Sequence, residues 1–404
     1  MNPTILVLNA GSSSIKFQLF AVTPEAGLAR RLKGQMEGIG SSPRLLARDV
    51  DGNVLSDQTW PQADVSSVPA ALDRVISLLR STIGALPTAI GHRVVHGGAK
   101  YSEPTIVTAA ALSELERLAP LAPLHQPHNV GLIRLILARQ PHLLQVACFD
   151  TAFHRGHADV ADRYAIPEAL YSEGVRRYGF HGLSYEYIAG RLEATAPEVA
   201  KGRVVVAHLG SGASMCAIQA GKSVESTMGF TALDGLPMGT RPGQLDAGVV
   251  LYLMNAKGMD AKAIERLLYN ECGLKALSGI SNDVRVLLAS SDARAKLALD
   301  YFVHRAQLST GMLVAAMGGI DAFVFTAGIG ENAPSIRAAI VRRLSCFGLA
   351  IDEAANAKGG PLISSRGSSV PCYVIPTDEE LMIARHTLRV WQQQASPQLK
   401  EKRA

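Results

Sequence analysis

The residues of this sequence best suited to chemistry are arginines, an aspartate and a histidine set in constrained or apolar surroundings. Arg93 lies in GHRVVHGG and Arg241 in MGTRPG. An arginine held in such a loop can clamp a carboxylate or phosphate through two parallel N–H groups. Asp150 ends the apolar run of CFDTAFH, where α/β proteins place ligand chemistry. His181 sits in YGFHG between an aromatic residue and glycine. Each has a plainer reading: surface arginines, a capping aspartate, a structural histidine. Asn9 and Glu379 supply oxygen of the hard type that magnesium accepts.

Three glycine-rich stretches follow apolar runs and can present backbone N–H groups to phosphate. The first is LNAGSSSIKFQLF, Leu8 to Phe20. It lacks the G-x-x-x-x-G-K-[ST] spacing of a P-loop. Ile15, Phe17 and Leu19 alternate with Lys16 and Gln18, the period of a half-buried strand. Hence Gly11 to Ser14 reads as a hairpin turn, with Lys16 able to reach a phosphate or simply to lie in solvent. The second, HLGSGAS, repeats that plan, with Gly210 matching Gly11 and Ser211 matching Ser12. Such an echo predicts a duplicated fold. The third, FVFTAGIGENAP, reads as a strand, a glycine-rich turn and a helix with proline near its start. GIGENA also fits the G-x-G-x-x-G/A dinucleotide fingerprint, with Asp352 following at about the right distance. A dehydrogenase is therefore one alternative, although it leaves the opening hairpin, its echo and the two arginines unexplained.

The elements that must position these residues are strands and helices in alternation. Residues 87–98 read as a strand running into a glycine turn, and LLQVACFDTAF as a buried strand. Thr108, Asp246 and Asp260 read as helix N-caps, and a long helix is expected from about Ser291 toward Gly318. Thr377 with Glu380 three residues on forms a capping box, which leaves Glu379 free to point elsewhere. Only the tail after Ala395 reads as loose.

The bulk composition narrows the field. A chain of 404 residues, 48% of them hydrophobic and 19% charged, is expected to fold as two globular domains. The formal charge of +5 comes without long basic blocks, so no nucleic-acid partner is expected. No apolar run reaches a membrane-spanning length, and no signal peptide is evident. Five cysteines without a C-x-x-C fit a reducing, cytoplasmic setting. None of the 11 histidines sits in an H-E-x-x-H helix, so zinc is not assigned.

Taken together, LNAGSSSIKF, GHRVVHGG, LAPLHQPHN, CFDTAFH, RRYGFHG, AHLGSGAS, MGTRPG, FTAGIGENA and IPTDEELMIARHT resemble the acetate kinase family, in its order and over nearly the whole chain. The resemblance implies an α/β fold of two duplicated ribonuclease-H-like (actin-like) lobes with a nucleotide cleft between them. Residues 1–150 would form the first lobe, completed by the last helix at about 380–404, and residues 151–379 the second. It implies a homodimer that uses ATP and magnesium, with manganese as a substitute. By resemblance, Asn9 and Glu379 hold the metal. Ser12, Lys16 and the turn His208, Leu209, Gly210, Ser211, Gly212 contact phosphates. Asp283, Val284 and Arg285, with Gly328, Ile329, Gly330, Glu331 and Asn332, hold the nucleoside. Arg93 binds the substrate carboxylate beside Val95, Leu124, Phe180 and Ala232, and Asp150, His181 and Arg241 form the catalytic group. The implied reaction carries the γ-phosphoryl group of ATP to acetate.

Four departures from the family pattern stand out. Ser211 replaces the usual asparagine. Asp378 replaces another and adds negative charge beside the metal ligand. Gly182-Leu183-Ser184-Tyr185 replaces Gly-Thr-Ser-His. Ala232 stands where proline is common, which widens the pocket toward propionate, while Val95 argues against butyrate; one methylene is worth about 1–3 kcal/mol in such a pocket. A propionate or other short-chain kinase is thus the near alternative, and an actin-like nucleotide-binding regulator the alternative of another class.

Overall fold

The computed structural model describes residues 2–24, 27–84 and 86–401, with residues 395–401 described as backbone only. The chain divides into two compact units, Met1–Ala152 with Asp378–Ala404, and Phe153–Thr377.

In the first unit, β1 (Thr4–Ala10) and β2 (Ile15–Thr23) form the antiparallel hairpin that the alternation predicts. The Gly11 N–H closes its turn by donating to the Ser14 carbonyl at 2.8 Å. The remaining strands are β3 (Gly27–Glu37), β4 (Arg44–Asp49), β5 (Val54–Thr59), β6 (Ala89–Val94), β7 (Thr105–Ile106) and β8 (Leu144–Phe149). The sheet order is β5-β4-β3-β2-β1-β6-β8-β7, with β1, β6 and β8 parallel. One face carries Leu6, Leu8, Ile15, Phe17 and Leu19 into a core with Leu72, Val75 and Leu79. Those last three lie on the helix Val68–Ile83, whose apolar residues recur at helical spacing. The opposite face carries Val7, Asn9, Lys16 and Gly91, and the helix Glu379–Glu401 packs there against β1, β6 and β8. A Cβ on Gly91 would stand 2.3 Å from the Thr387 hydroxyl, so only glycine lets this helix settle onto the sheet.

The second unit repeats the plan. Its strands are β9 (Arg203–Leu209), β10 (Ala213–Gln219), β11 (Lys222–Ser226), β12 (Ala322–Thr326) and β13 (Cys372–Val374). Their order, β11-β10-β9-β12-β13, has the same directions as β3-β2-β1-β6-β8: an antiparallel meander, then two parallel additions. The long helix Ala293–Met317 packs against β9, β10 and β11. Asp246 and Asp260 cap their helices as expected, and Asp292 caps the long one. The duplication read from Gly11 and Gly210 is therefore a duplication of topology.

Four local expectations are corrected. The segment AGIGEN is a short helix, Ala327–Asn332, and not a turn, because the chain enters it directly from β12 through Ala327 at φ 65°. Asp352, which completed the dinucleotide pattern, caps the helix Glu353–Lys358 by accepting from Ala355 N at 3.0 Å. With its antiparallel meanders, this sheet is not a dinucleotide-binding one. The last helix is capped by Asp378, which accepts from Leu381 N at 3.0 Å, and not by Thr377, whose hydroxyl bonds Ser184 at 2.9 Å. That helix also continues past Ala395 to Glu401; the end of the tail, residues 402–404, lies outside the described residues. Among the described residues, no helix is long and apolar enough to cross a membrane.

Candidate functional site

In the first unit the candidate residues gather where β1, β6 and β8 end. Asn9 is next to last in β1 and Arg93 in β6, while Asp150 follows β8 directly. Asn9 shares the face on which Glu379 begins the last helix. Arg93 and Asp150 form a bidentate pair, Nε to Oδ1 at 3.2 Å and Nη2 to Oδ2 at 2.6 Å. Glu379 stands 3.7 Å from Arg93 Nε. Burial lifts the Asp150 carboxyl to about 6, with Arg93 pulling it down and Glu379 pushing it up. Burial opposes the charge of Arg93, yet Asp150, Glu379 and Glu380 together hold its pKa above the ordinary value. Burial and Glu379 also raise the Glu380 carboxyl.

Three carboxylates thus crowd one guanidinium. Among the described residues no group of three or more His, Cys, Asp or Glu side chains is placed to hold a metal ion by itself; Asn9 and Glu379 offer oxygen of the hard type that a divalent cation accepts. The bidentate edge of Arg93 that the sequence reading gave to substrate is occupied here by Asp150. The other N–H groups of the fork remain for a second anion. Val95 is buried and Leu124 is exposed. Ser12 is exposed in the hairpin turn. Exposed Lys16 lines a groove of about 360 Å³ with Lys33, Arg48 and Glu380. The extra charge of Asp378 is matched by an ion pair with Arg30.

In the second unit the equivalent strand ends carry the rest. A cavity of about 440 Å³ brings together Gly210, Ser211, Asp283, Val284, Arg285, Gly328, Ile329 and Asn332, which the sequence reading had drawn from three distant segments. Asp283 caps its helix and pairs with Arg285, whose side chain is mostly exposed. Leu209 and Gly330 are buried. Glu331 turns inward: its Oε1 accepts from Ala327 N at 2.8 Å and Thr377 N at 3.1 Å. Buried Arg337 ties down the same helix by donating to the Gly330 and Glu331 carbonyls at 2.9 and 2.8 Å.

Beside this cavity stands a second cluster. His181 stacks on His208 with ring centroids 4.1 Å apart. His181 Nδ1 contacts Ser214 Oγ at 2.8 Å, and His208 Nδ1 contacts Ser184 Oγ at 2.9 Å. Tyr185, one of the departures, reaches the same Ser214 at 2.5 Å. Arg241 donates to the Ala232 carbonyl at 2.9 Å. A Cβ built on Gly212 would lie 3.2 Å from His181 Nε2 and 3.8 Å from Arg241 Nη2, so the turn touches both side chains. Phe180, just before His181, is buried.

Sequence reasoning missed the residues that support these groups. Asn129 accepts from Val95 N at 3.1 Å and donates to the Ala10 carbonyl at 2.8 Å, tying β1 to the β6 turn. Gln126 accepts from His96 N at 3.1 Å. Both sit in LAPLHQPHN on the buried face of the helix Gln126–Arg139, and amides among Val130, Ile133 and Ile136 were the available signal. Ser214 was marked in the same way, as a polar residue in a strand buried from Ala213 to Ile218.

Two units of one topology, with the candidate residues at matching strand ends, define a two-lobed α/β kinase fold. The chain belongs to the acetokinase family, whose pattern it matches over residues 4–385. A Nitrobacter hamburgensis protein named acetate kinase is 58% identical over 400 residues, covering 99% of both chains. The crystal structure of a propionate kinase from Francisella tularensis superposes with a TM-score of 0.88 at 35% identity, covering 96% of this chain and 99% of that one. The crystal structure of Porphyromonas gingivalis acetate kinase gives 0.86 at 35% identity, covering 96% and 100%.

Proposed function

We propose that this chain transfers the γ-phosphoryl group of ATP reversibly to acetate, giving acetyl phosphate and ADP. The observation that carries the reading is the family match over nearly the whole chain together with the high identity to a protein named acetate kinase. The substrate carboxylate is ionised near neutral pH, because its reference pKa is about 4. No general base is needed, and the work left to the protein is positioning and charge stabilisation.

In this reading Arg93 orients the acetate carboxylate with the N–H groups that Asp150 leaves, beside Val95, Leu124, Phe180 and Ala232. Asp150 orients Arg93. His181 and Arg241 donate to the equatorial oxygens of the transferring group, whose transition state is loose and metaphosphate-like. Ser12, Lys16 and the His208–Gly212 turn contact phosphate. The cavity lined by Asp283, Arg285 and Gly328 takes the nucleoside. Asn9 and Glu379 would hold magnesium, which when bound neutralises phosphate charge.

A homodimer fits the second unit's apolar surface: the helix Ala247–Asn255 buries none of its side chains and exposes Val249, Leu251, Tyr252 and Met254. The likeness to a propionate kinase, with Ala232 in place of a bulkier residue, supports propionate as a second substrate. The test is acyl-phosphate formation, trapped with hydroxylamine, from magnesium-ATP with acetate, propionate and butyrate in parallel. Acetate is expected to match or exceed propionate in kcat/KM. A clear propionate preference moves the assignment to that acid, and no product with any of the three overturns carboxylate phosphorylation.

A further inference from the structure

Outside the groups just given roles, the second unit contains a buried polar chain that leads to the backbone before His181. His154 Nε2 lies 2.9 Å from the Phe180 carbonyl, and its Nδ1 lies 2.8 Å from Ser223 Oγ. His157 Nε2 lies 2.7 Å from the same hydroxyl, and its Nδ1 lies 3.3 Å from Asp162 Oδ1. The direction of these bonds can be deduced. A carbonyl only accepts, so His154 donates from Nε2 and, as a neutral ring, accepts at Nδ1. Burial, reinforced by the charge of His157, pulls His154 down to about 3, which keeps it neutral. Ser223 spends its single proton on His154, so His157 must donate to Ser223. The other nitrogen of His157 faces the Asp162 carboxylate, which forms the outer end of the chain.

The same segment grips the loop elsewhere. Arg155 donates to the carbonyls of Arg177 and Tyr178 at 3.1 and 2.8 Å, and to Asp162 at 3.0 Å. Gly179 takes φ 71°, and a Cβ there would stand 2.6 Å from the His154 ring, so the backbone lies flat on the imidazole. His181 itself has φ 57°, a left-handed conformation that costs a non-glycine residue about 1–2 kcal/mol and persists only when its surroundings impose it.

We infer that His154, held in one tautomer by Ser223 and the His157–Asp162 pair, is a positioning residue that aims His181 through the Phe180 carbonyl. The inference rests on the phosphoryl-transfer reading, in which His181 touches the reacting group. The test compares His154→Leu, His154→Gln and Ser223→Ala, each alone and combined with His181→Ala, by steady-state acyl-phosphate formation. His154→Leu is expected to lower kcat by about 10- to 100-fold, since misplacement by 1 Å costs about that much. KM for ATP and acetate should hold within about twofold. His154→Gln, whose amide replaces the Nε2 donor, should recover most of the loss. With His181→Ala already present, His154→Leu should cost nothing further, because its effect passes through His181.

Undiminished kcat in His154→Leu, a glutamine variant as poor as leucine, or an equal further loss beside His181→Ala each overturns the inference. If His154→Leu does not fold, Ser223→Ala carries the same comparison, with a loss of kcat expected and none overturning. Wild-type turnover in His181→Ala overturns the role given to His181 itself, whereas an impaired His181→Ala beside an intact His154→Leu overturns only the positioning role.

Discussion

Replacing Gly212 by alanine tests whether the second-unit cluster is set for catalysis or merely for packing. The new Cβ would meet His181 Nε2 at 3.2 Å, His181 Cε1 at 3.5 Å and Arg241 Nη2 at 3.8 Å. Carbon contacts are comfortable at about 3.5–4.0 Å. The imidazole must therefore retreat by roughly 0.3–0.5 Å, since its stacking on His208 and its bond to Ser214 limit how it turns. If 1 Å costs about 100-fold, a retreat of that size costs about 4- to 10-fold in kcat. Gly212 has no left-handed φ, so the alanine adds no backbone strain. KM for acetate and the melting temperature should stay near wild type. The assay is initial-rate acyl-phosphate formation at saturating ATP and acetate, with a thermal melt as control. An unchanged kcat would refute the placement of His181 at the transferring group. A fall in melting temperature matching the lost activity would show that packing alone had been disturbed.

Asp150→Asn should lower kcat by about 10- to 100-fold, the loss of a charge-assisted bidentate pair, and should shift the magnesium dependence; near-normal turnover at unchanged magnesium requirement would sink its orienting role. Gly328 faces open space in the helix Ala327–Asn332, so Gly328→Ala should stabilise the protein by up to about 1 kcal/mol. The same methyl enters the 440 Å³ cavity and should raise KM for ATP by about 3- to 10-fold, with KM for acetate unmoved. An unchanged KM for ATP would remove the nucleoside from that cavity. Burial lowers His92 to about 4, with a partial offset from its bond to Gln145. The unfolded chain protonates this group near 6.5 and the folded one does not, so its stabilising contribution is intact above pH 6.5 and lost as pH falls toward 4. Urea unfolding of wild type should weaken by about 2 kcal/mol more than that of His92→Gln between pH 7 and pH 5, and parallel curves would contradict it.

What could be read from the sequence was whatever repeats at short range. The alternation of Ile15, Phe17 and Leu19 needs only a strand beside a core, and the match of Gly11 to Gly210 needs only that one hairpin be used twice. Local signals failed where a distant partner competed. Thr377 has the chemistry of a cap, but its hydroxyl turns to Ser184, and Asp378 serves instead while also pairing with Arg30. The glycines of AGIGEN suggested a turn, but Arg337 and Glu331 fasten that segment as a helix. The Arg93–Asp150 pair, 57 residues apart in sequence, left no trace short of the fold. Neither did the hold of Asn129 on Ala10, nor that of His154 on Phe180.

The return of the final helix to the first unit sets an order on biosynthesis. Ile5, Val7 and Phe20 face that helix and are buried in the finished protein. Until Glu379–Glu401 leaves the ribosome, this side of the sheet lacks the helix that packs on β1, β6 and β8. The intervening Phe153–Thr377 takes on the order of tens of seconds to translate. During that interval the nascent chain displays an apolar face suited to a holding chaperone. It also lacks Glu379, so the carboxylate cluster around Arg93 closes only once the last helix has been made. A premature stop anywhere before the last helix would therefore yield a sticky fragment that lacks this carboxylate cluster.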